Sequence, residues 1–558
     1  MRKNRHCVQL LRGCLFAAFL IALGFTQVQD SQVQDSLRPQ FAAQLEIVIQ
    51  RSDTGEVVPG RVYLFKNGQP FRLSPVDSHL PLRADLFYRE RIWRRASQPT
   101  VLEVTAKDLS HFLLLNGRAT FDLPAAEAYR LEVYRGFFFK PVVIEFSLRA
   151  QEQEQIIVKL DPVAPDRQRH WIAADDHIHL MRGREDDAVF LRWLAAEDLA
   201  VGNFLELQRQ QHAAVQYAFG REGEARLPGF SIRSGHESRS RFYGHVLLLG
   251  PRQMIRPLSV GSEYANSPEA YPFPALLFDQ GRKLDAVTGF AHFYGSQPNS
   301  TLLMDLAHGK IDFIELFQFG QLHTQQWYEL LNAGFRAVGL AGSDFPANIG
   351  RFDPWPRAFP LLGPERALVK AEPGESAYEA WAAGVRKGAV VVTNGPLLDF
   401  SVQGRGSGEV IRWEAEATEA EGVATATFHR PLEKLEIVAN GRVVATQGGN
   451  GATELSLPFK VSLKESAWVA ARVEARHGEG EPEIWAHANP VYLLKAGQPV
   501  YVEADRRALL ERWEKEAEYY SNPELVFADE TQRSELLGMV EQTRKILSEP
   551  PAPLNNTN

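Results

Sequence analysis

Apolar and polar positions follow three different patterns along the chain. Residues 41–162 contain short β-branched and aromatic runs such as EIVIQ, RVYLF and YRLEVYRG, separated by turn residues. This spacing predicts an N-terminal β-sandwich. Residues 399–497 return to the same pattern, with an NGR hairpin turn between LEIVA and VVAT, and predict a second β-sandwich. Residues 501–550 carry two amphipathic stretches and predict a C-terminal helical tail.

Between the two β-rich regions, residues 165–398 alternate strand-like and helix-like stretches. The helix-like stretches include DDAVFLRWLAAED and TQQWYELLNAG. The candidate strands are WIAADDHIHL, AVGNFLEL, GFSIRSGHES, GHVLLLG, AVTGFAHF, IDFIELFQF and RAVGLAGSDF. This order predicts a parallel sheet with helical cover, and seven such strands can close into a barrel whose chemistry lies at the C-terminal strand ends. The expected fold class is therefore multidomain α/β plus all-β.

The first of these strands ends in ionisable residues at every second position. Asp175, His177 and His179 follow an apolar Trp-Ile-Ala run. Because side chains two apart on a strand share a face, one carboxylate and two imidazoles are expected at one spot. The neighbouring Asp176 should point to the opposite face and be structural.

Four later residues fall at the ends of other candidate strands. Glu237 ends the third strand in SGHES, and His236 beside it should point away as a structural residue. His245 opens the fourth strand, His292 closes the fifth, and Asp344 closes the seventh. Imidazole and carboxylate together suit divalent metals such as Zn or Mn, and a set larger than four favours two ions sharing a carboxylate.

The ordered motifs resemble a known family. DxHxH, then a Glu followed by GHxLxLG, then a His at a strand end, then GSD, is the ligand order of the PHP (polymerase and histidinol phosphatase) superfamily. RWLAAEDLAVGN, WYELLNAGFRAVGLAGSD and RKGAVVVTNGPLLDFSV are similar to the CehA/McbA-type, carbaryl-hydrolase-like metallohydrolases. The resemblance covers roughly residues 165–400 and implies a distorted seven-stranded (β/α) PHP-type barrel with metal-dependent hydrolysis.

The resemblance also assigns ligands. It implies one metal held by His177, His179, Glu237 and Asp344, and a second held by Glu237, His245 and His292, with Glu237 bridging. The superfamily's Asp-His after strand two is replaced by AVGNFLEL, and its His after the final GSD is replaced by DFP. Since those residues would hold a third metal, the expected cofactors are two divalent ions, Zn, Mn or Fe.

Five further residues have weaker signals. Asp175 is expected to orient a histidine ring from behind, or else to cap a turn. Arg239 and Tyr243 lie between Glu237 and His245 and could orient an anionic or carbonyl group of the substrate, or belong to a solvated loop. Glu315 could face the site or form a salt bridge at the rim. His323 could donate a proton to a leaving group or be an exposed loop residue.

The N-terminal segment differs from the rest in composition. MRKNRH followed by LFAAFLIALGF is typical of a secretory signal peptide, so residues 1–36 are assigned to a signal peptide and linker. Both cysteines, Cys7 and Cys14, lie there, so catalysis cannot use a thiol in the mature chain. A secreted or periplasmic location is expected, with an uncleaved N-terminal membrane anchor as the alternative.

Charge and motifs narrow the function. The net charge of −8 gives no basic surplus, so nucleic acid is not an expected partner. No GxSxG elbow is present, which disfavours a serine hydrolase. The favoured function is an exported hydrolase using metal-bound hydroxide on an ester, carbamate or amide of a small molecule or polymer, with Asp344 and Glu237 as catalytic residues. The alternatives are a phosphoesterase on the same site and a non-catalytic binding module on a decayed barrel.

Overall fold

The computed structural model describes most of the chain and combines mixed α/β structure with extensive β-sheet. The described residues are 42–71, 78–82, 91–95, 101–106, 110–125, 128–168, 170–208, 213–261, 265, 268–293, 300–352, 355–371 and 376–553. The proposed signal segment, residues 1–36, lies outside them. No helix among the described residues is long and apolar enough to cross a membrane.

The N-terminal part consists of two sheets around a shared apolar core. One sheet has the order β11-β1-β8, and the other runs β10-β9-β2-β7-β6-β5-β4 with β3 paired to β2. Leu45, Ile47 and Leu131 are among the fully buried residues between them. The strands are β1 Ala42–Arg51, β2 Gly60–Lys66, β3 Gln69–Pro70, β4 Ser78–Leu82, β5 Arg91–Arg95, β6 Leu102–Ala106, β7 Ser110–Leu115, β8 Arg118–Pro124, β9 Ala128–Tyr134, β10 Val142–Ser147 and β11 Gln153–Leu160.

The central part contains all seven strands expected from the alternating pattern. These seven are numbered β12, β13, β16, β17, β19, β20 and β22. The central strands are β12 Trp171–Ile178, β13 Val201–Gln208, β14 Ala213–Ala214, β15 Ala225–Leu227, β16 Phe230–Ser240, β17 Gly244–Leu249, β18 Ser259–Val260, β19 Val287–Phe290, β20 Phe313–Gln318, β21 Gln321–Leu322, β22 Gly339–Ala341, β23 Arg366–Lys370 and β24 Val390–Thr393.

Main-chain pairing carries these seven strands round a closed ring. β12, β13 and β16 pair in parallel, and β19, β20 and β22 do the same. The ring closes beyond β22, where Phe345 bridges Ile178 in parallel and the His179 N–H donates to the Phe345 carbonyl at 2.7 Å. The first half of β12 pairs instead with β23, which distorts the ring on that side.

One strand of the ring runs against the others. β17 is antiparallel to both β16 and β19, so the expectation of a parallel sheet is wrong at this strand. A turn of only three residues, Arg241 to Tyr243, joins β16 to β17. A parallel crossover needs a much longer connection, so this short link forces the reversal. The N-terminal end of β17 therefore lies beside the C-terminal ends of its neighbours.

Eight α-helices of the described residues surround this framework. The apolar faces of α7 and α8 share a core with the central strands, where Leu509, Trp513 and Leu536 are fully buried. Short 3₁₀ helices span Arg184–Asp186 and Ala347–Arg351. The α-helices are α1 Pro165–Gln168, α2 Asp187–Ala196, α3 Pro274–Lys283, α4 Leu302–Ala307, α5 Thr324–Asn332, α6 Ala377–Lys387, α7 Glu503–Tyr520 and α8 Glu530–Ser548.

The C-terminal strands form two sheets, one of which is continuous with the central part. β25, β27 and β30 form a separate three-stranded sheet. β24 pairs antiparallel with β32, which joins the other C-terminal strands to the central ring. The C-terminal strands are β25 Leu397–Val402, β26 Val410–Trp413, β27 Thr418–Thr427, β28 Leu432–Ala439, β29 Arg442–Gly448, β30 Glu454–Leu463, β31 Ala467–Ala475, β32 Ile484–Ala488 and β33 Val491–Lys495.

Candidate metal centre

Ionisable side chains from five strands of the ring meet at one end of it. His177 lies at the end of β12 and His179 directly after it, and Glu237 lies near the end of β16, before the link to β17. His292 and Asp344 follow β19 and β22, and His245 opens the antiparallel β17. All six predicted ligands are buried, with at most 8% of any residue exposed. The reversal of β17 is what brings His245 to the same end as the others.

Three histidine rings are held so that the same nitrogen of each faces the centre. The Nδ1 of His177 lies 3.0 Å from Glu315 Oε1, and that of His292 lies 2.6 Å from Gln318 Oε1. The Nδ1 of His179 lies 3.4 Å from the Leu205 carbonyl. Because these acceptors favour a proton on Nδ1, each Nε2 keeps its lone pair for a ligand.

The free ring nitrogens converge on two carboxylates. His177 Nε2 and His179 Nε2 are 3.0 Å apart, and each lies 3.4 Å from Asp344 Oδ1. Glu237 Oε2 lies 3.0 Å from His179 Nε2, and Glu237 Oε1 lies 3.5 Å from His292 Nε2. Two lone pairs 3.0 Å apart repel each other unless a proton or a cation lies between them, so the arrangement suits a shared cation.

The donor set fits a metal ion on this geometry. Two groups, His177–His179–Asp344 and His177–Glu237–His292, each bring three candidate ligand atoms within 4.8 Å of one another. Asp344 Oδ1 is buried and accepts no hydrogen bond from any described residue. A buried carboxylate oxygen without a donor is costly, and a divalent cation would satisfy it.

The electrostatic field at the centre favours positive charge. Burial lowers the pKa of His177, but Glu315, Asp344 and Glu237 outweigh it and raise this pKa well above its ordinary value. Burial raises the pKa of Asp344, but His177, His292 and His179 reverse this and lower it overall. A field that would protonate a buried imidazole also attracts a metal cation.

Glu237 is held as an anion by its neighbours. Burial would raise the pKa of Glu237, yet Arg239 and His245 outweigh it and lower this pKa well below its ordinary range. Arg239 Nε donates to Glu237 Oε2 at 2.7 Å, and His245 Nδ1 lies 2.9 Å from Glu237 Oε1. Arg239, predicted to contact substrate, therefore lies against the predicted bridging carboxylate.

Asp175 does not orient a histidine ring but binds backbone N–H groups, in line with the second role that the sequence left open for it. Its Oδ1 accepts the backbone N–H groups of His177 at 3.0 Å and Ser343 at 2.9 Å, and its Oδ2 accepts the Gly363 N–H at 2.7 Å. These bonds tie β12 to the loops after β22 and before β23. The role that was expected of Asp175 belongs to Glu315.

Glu315 was predicted to contact substrate, but it holds two predicted ligands instead. Its Oε1 accepts from His177 Nδ1, and its Oε2 accepts the His292 backbone N–H at 2.7 Å. With 1% of the residue exposed, both oxygens are committed to holding ligands. Gln318, which the sequence analysis missed, does the same for His292. The only sequence signal is a polar residue at every third position of the apolar strand FIELFQ.

Among the described residues, neither Tyr243 nor His323 forms a hydrogen bond or ion pair with a predicted ligand. Tyr243 is fully buried, its hydroxyl donates to the Ala270 carbonyl at 2.5 Å, and its ring stacks on Tyr520. The predicted substrate contact of Tyr243 is therefore wrong. His323 is half-buried just before α5, with its ring edge-on to Phe293 at 6.4 Å between centroids.

The two residues expected to be structural are buried, but they differ in their surroundings. His236 is fully buried on the far face of β16, and burial lowers its pKa to about 4. Asp176 is fully buried, and desolvation together with the charge of Glu315 raises its pKa well above its ordinary value. Asp176 thus lies next to Glu315, directly behind the histidine ligand.

Comparison with known proteins gives little guidance. No protein-family model matches the chain, and no curated protein does. Among solved structures, the lesion-specific endonuclease PfuEndoQ from Pyrococcus furiosus matches at TM-score 0.26 with 16% identity, over 39% of this chain and 56% of that chain. Endonuclease Q bound to a 27-mer duplex with an abasic lesion matches at TM-score 0.27 with 15% identity, over the same shares. TM-scores this low do not establish that the chain shares the fold of either endonuclease.

Proposed function

We propose that this protein is a metal-dependent hydrolase whose centre is built by His177, His179, Glu237, His245, His292 and Asp344. The observation that carries the proposal is the common direction of three Nε2 atoms toward two buried carboxylates. Each Nδ1 faces an oxygen acceptor, which fixes the tautomer that a metal ligand needs. A structural histidine cluster would have no reason to aim all its lone pairs at one point.

We further propose that the closed ring is a distorted seven-stranded barrel of the PHP type, similar to that of the CehA/McbA-type enzymes. The ordered motifs of the sequence support this assignment. The ring pairing of β12, β13, β16, β17, β19, β20 and β22 is compatible with it. We also propose that the protein is exported, which the composition of the N-terminal segment supports, and that it has no nucleic-acid partner, which the net charge of −8 supports. Its substrate would be a small molecule or a polymer.

The residues at the centre divide the work of hydrolysis. Divalent ions, when bound, lower the pKa of water and polarise a carbonyl oxygen. His177, His179 and His292 would hold them, with Glu237 between the two groups of ligands and Glu315 and Gln318 fixing the rings. Asp344 or a nearby histidine would take the proton from the attacking water. The target class is an ester, carbamate or amide.

Metal analysis of the purified chain tests the proposal. We expect about two equivalents of Zn, Mn or Fe per chain, with hydrolysis of p-nitrophenyl acetate that exceeds hydrolysis of p-nitrophenyl phosphate. His179→Ala and Asp344→Asn should lose both metal and hydrolysis. His477→Ala, which changes an exposed histidine of a C-terminal loop, should keep both.

Two outcomes would count against the proposal. A chain that contains no metal and takes up none on supplementation is not a metallohydrolase. A metal-loaded chain that prefers the phosphate ester has the proposed centre but belongs to the phosphoesterase alternative.

A further inference from the structure

A stack of planar groups leads from the candidate metal centre to the surface. The His292 ring lies against the His177 ring, with centroids 5.2 Å apart. The Phe319 ring is nearly parallel to His292, with centroids 6.2 Å apart and an angle of 12°. The guanidinium carbon of Arg351 lies 4.0 Å from the centroid of the Phe319 ring. An exposed cation is therefore one aromatic ring away from a predicted metal ligand.

Phe319 occupies a backbone position that phenylalanine normally avoids. Gln318 pairs with Gln321, so Phe319 and Gly320 form a two-residue hairpin loop between β20 and β21. Both have positive φ, +52° for Phe319 and +72° for Gly320. Such loops favour Asn, Asp or Gly at the first position, since a larger side chain is strained there. Strain of this kind is concentrated at functional sites, which makes the ring of Phe319 the feature that needs an explanation.

The loop that carries Arg351 also carries a predicted ligand. Asp344 lies before the 3₁₀ helix Ala347–Arg351, and Arg351 is the last residue of that helix. Within the part of the chain that the structure describes, Arg351 forms no ion pair, and its side chain is exposed. Its guanidinium is thus held beside the site by a ring contact and remains available to an anion.

We propose that Arg351 binds an anionic group of the substrate, and that Phe319 sets the distance between that group and the bond to be cleaved. The proposal rests on the proposed function and names a substrate class for it: esters or amides that carry a carboxylate away from the scissile carbonyl. A guanidinium matches a carboxylate with two parallel hydrogen bonds, whereas a neutral substrate offers it no charge.

Paired esters test this selectivity. p-Nitrophenyl hemisuccinate and p-nitrophenyl acetate share a leaving group and differ in a remote carboxylate. In Arg351→Gln the ratio of kcat/KM for hemisuccinate to that for acetate should fall about tenfold, which is the effect of losing a charge-assisted hydrogen bond. Arg336→Gln is the matched control. Arg336 is also exposed and lies over a ring, that of Tyr492 at 4.8 Å, but at the opposite end of β22.

Chemical modification gives a second measurement that does not depend on activity. Phenylglyoxal modifies accessible guanidinium groups, and mass spectrometry of the digested full chain reports each arginine separately. Succinate should slow the modification of Arg351 severalfold and leave that of Arg336 unchanged, while neutral succinamide should affect neither. The measurement works on the wild-type chain, so it does not depend on the folding of a variant.

The results separate this inference from the proposed function. If the wild type hydrolyses neither ester but succinate protects Arg351, the hydrolase proposal fails and the anion site stands. If hydrolysis is metal-dependent while the substrate ratio is unchanged in Arg351→Gln, the hydrolase proposal stands and this inference is overturned. Equal protection of the two arginines, or protection of neither, also overturns it.

Discussion

At the scale of single residues, the centre depends on side chains that no substrate would touch. Glu315 holds two ligands at once, His177 through the ring and His292 through the backbone. His292 and Asp344 both have positive φ, +53° and +48°, so their side chains are directed by unusual backbone conformations. Hydrogen bonds behind the ligands, such as those of Glu315, keep such conformations populated.

Replacing Glu315 should weaken metal binding without removing a ligand. In Glu315→Gln the amide group can accept from only one of the two N–H groups, and its own NH₂ faces the other. Removing a group that hydrogen-bonds to a histidine ligand typically lowers metal affinity by about 10–100-fold, and we expect a loss in this range. Competition with a fluorescent chelator measures it. Glu329→Gln, which changes a half-exposed carboxylate bonded to Arg512, should bind metal like the wild type, and an equal loss there would contradict the argument.

A second buried carboxylate should make stability depend on pH. Burial raises the pKa of Glu365 to about 8 from an ordinary 4.5, although its Oε1 accepts the Gly320 N–H. The folded state therefore binds a proton more tightly than the unfolded state, and stability falls as pH rises from about 4.5 to 8. Glu365→Gln keeps an acceptor and removes the charge. Its Tm should exceed that of the wild type at pH 9 and nearly equal it at pH 5; a pH-independent difference would contradict this assignment.

At the scale of elements, strand positions could be predicted but strand directions could not. Runs such as GHVLLLG identify a buried strand, yet the same letters fit either direction in the sheet. The direction of β17 depends on the three-residue link after β16. The sequence places His245 at the start of a strand. Because the direction of that strand could not be predicted, the sequence did not explain how His245 reaches the ends of the neighbouring strands.

The roles of carboxylates were predicted less well than the ligands themselves. Alternation on β12 identifies His177 and His179 as residues of one face, because their spacing alone determines it. The same alternation included Asp175, whose bonds go to three backbone N–H groups. The bonds to Ser343 and Gly363 depend on the positions of two loops that are distant in sequence. The alternation of residues along one strand does not predict those positions.

Close contact between β22 and β12 leaves no room for a side chain at Gly342. A Cβ there would lie 1.8 Å from Asp176 Oδ1 and 2.9 Å from His177 Cβ. Gly342→Ala should therefore displace β12, lower the stability by about 1–3 kcal/mol and weaken metal binding. Thermal unfolding and metal titration measure the two effects.

The matched control for this change is Gly538→Ala in α8. A Cβ at Gly538 meets no atom within 4 Å. Alanine in a helix is more favourable than glycine by about 0.5–1 kcal/mol, so this variant should be slightly more stable than the wild type. If Gly342→Ala behaved like Gly538→Ala, the close approach of the two strands would not exist in solution.

At the scale of the whole molecule, a buried ion cluster joins the N-terminal sheets to the central ring. Arg61 of β2 lies 3.1 Å from Glu197, which follows α2, and both side chains are fully buried. Arg61 also donates to the Phe359 carbonyl at 2.8 Å. If one part unfolded alone, charged groups of the other part would lose their partners. The N-terminal sheets and the central ring are therefore expected to unfold together.

Breaking this pair on one side should destabilise the protein strongly. Arg61→Met leaves Glu197 buried without its cation, which typically costs about 3–5 kcal/mol. The double variant Arg61→Met/Glu197→Gln should recover part of the loss, since the uncompensated Glu197 carboxylate is removed. Denaturant unfolding measures both. Arg405→Ala, which breaks an ion pair with Glu409 between exposed side chains, should change the stability by less than about 1 kcal/mol. If Arg61→Met lowered the stability no more than Arg405→Ala does, the buried pair would not be intact in solution.

The pairing of β24 with β32 has a practical consequence for the limits of the central part. A fragment that ends at residue 398, where the alternating pattern stops, would lose β32 and uncover the N–H and C=O groups along Val391, Val392 and Thr393. An uncovered row of this kind, on a strand of three consecutive valines, is a template for intermolecular aggregation. The smallest soluble fragment that contains the candidate metal centre should therefore extend through β33, at Lys495.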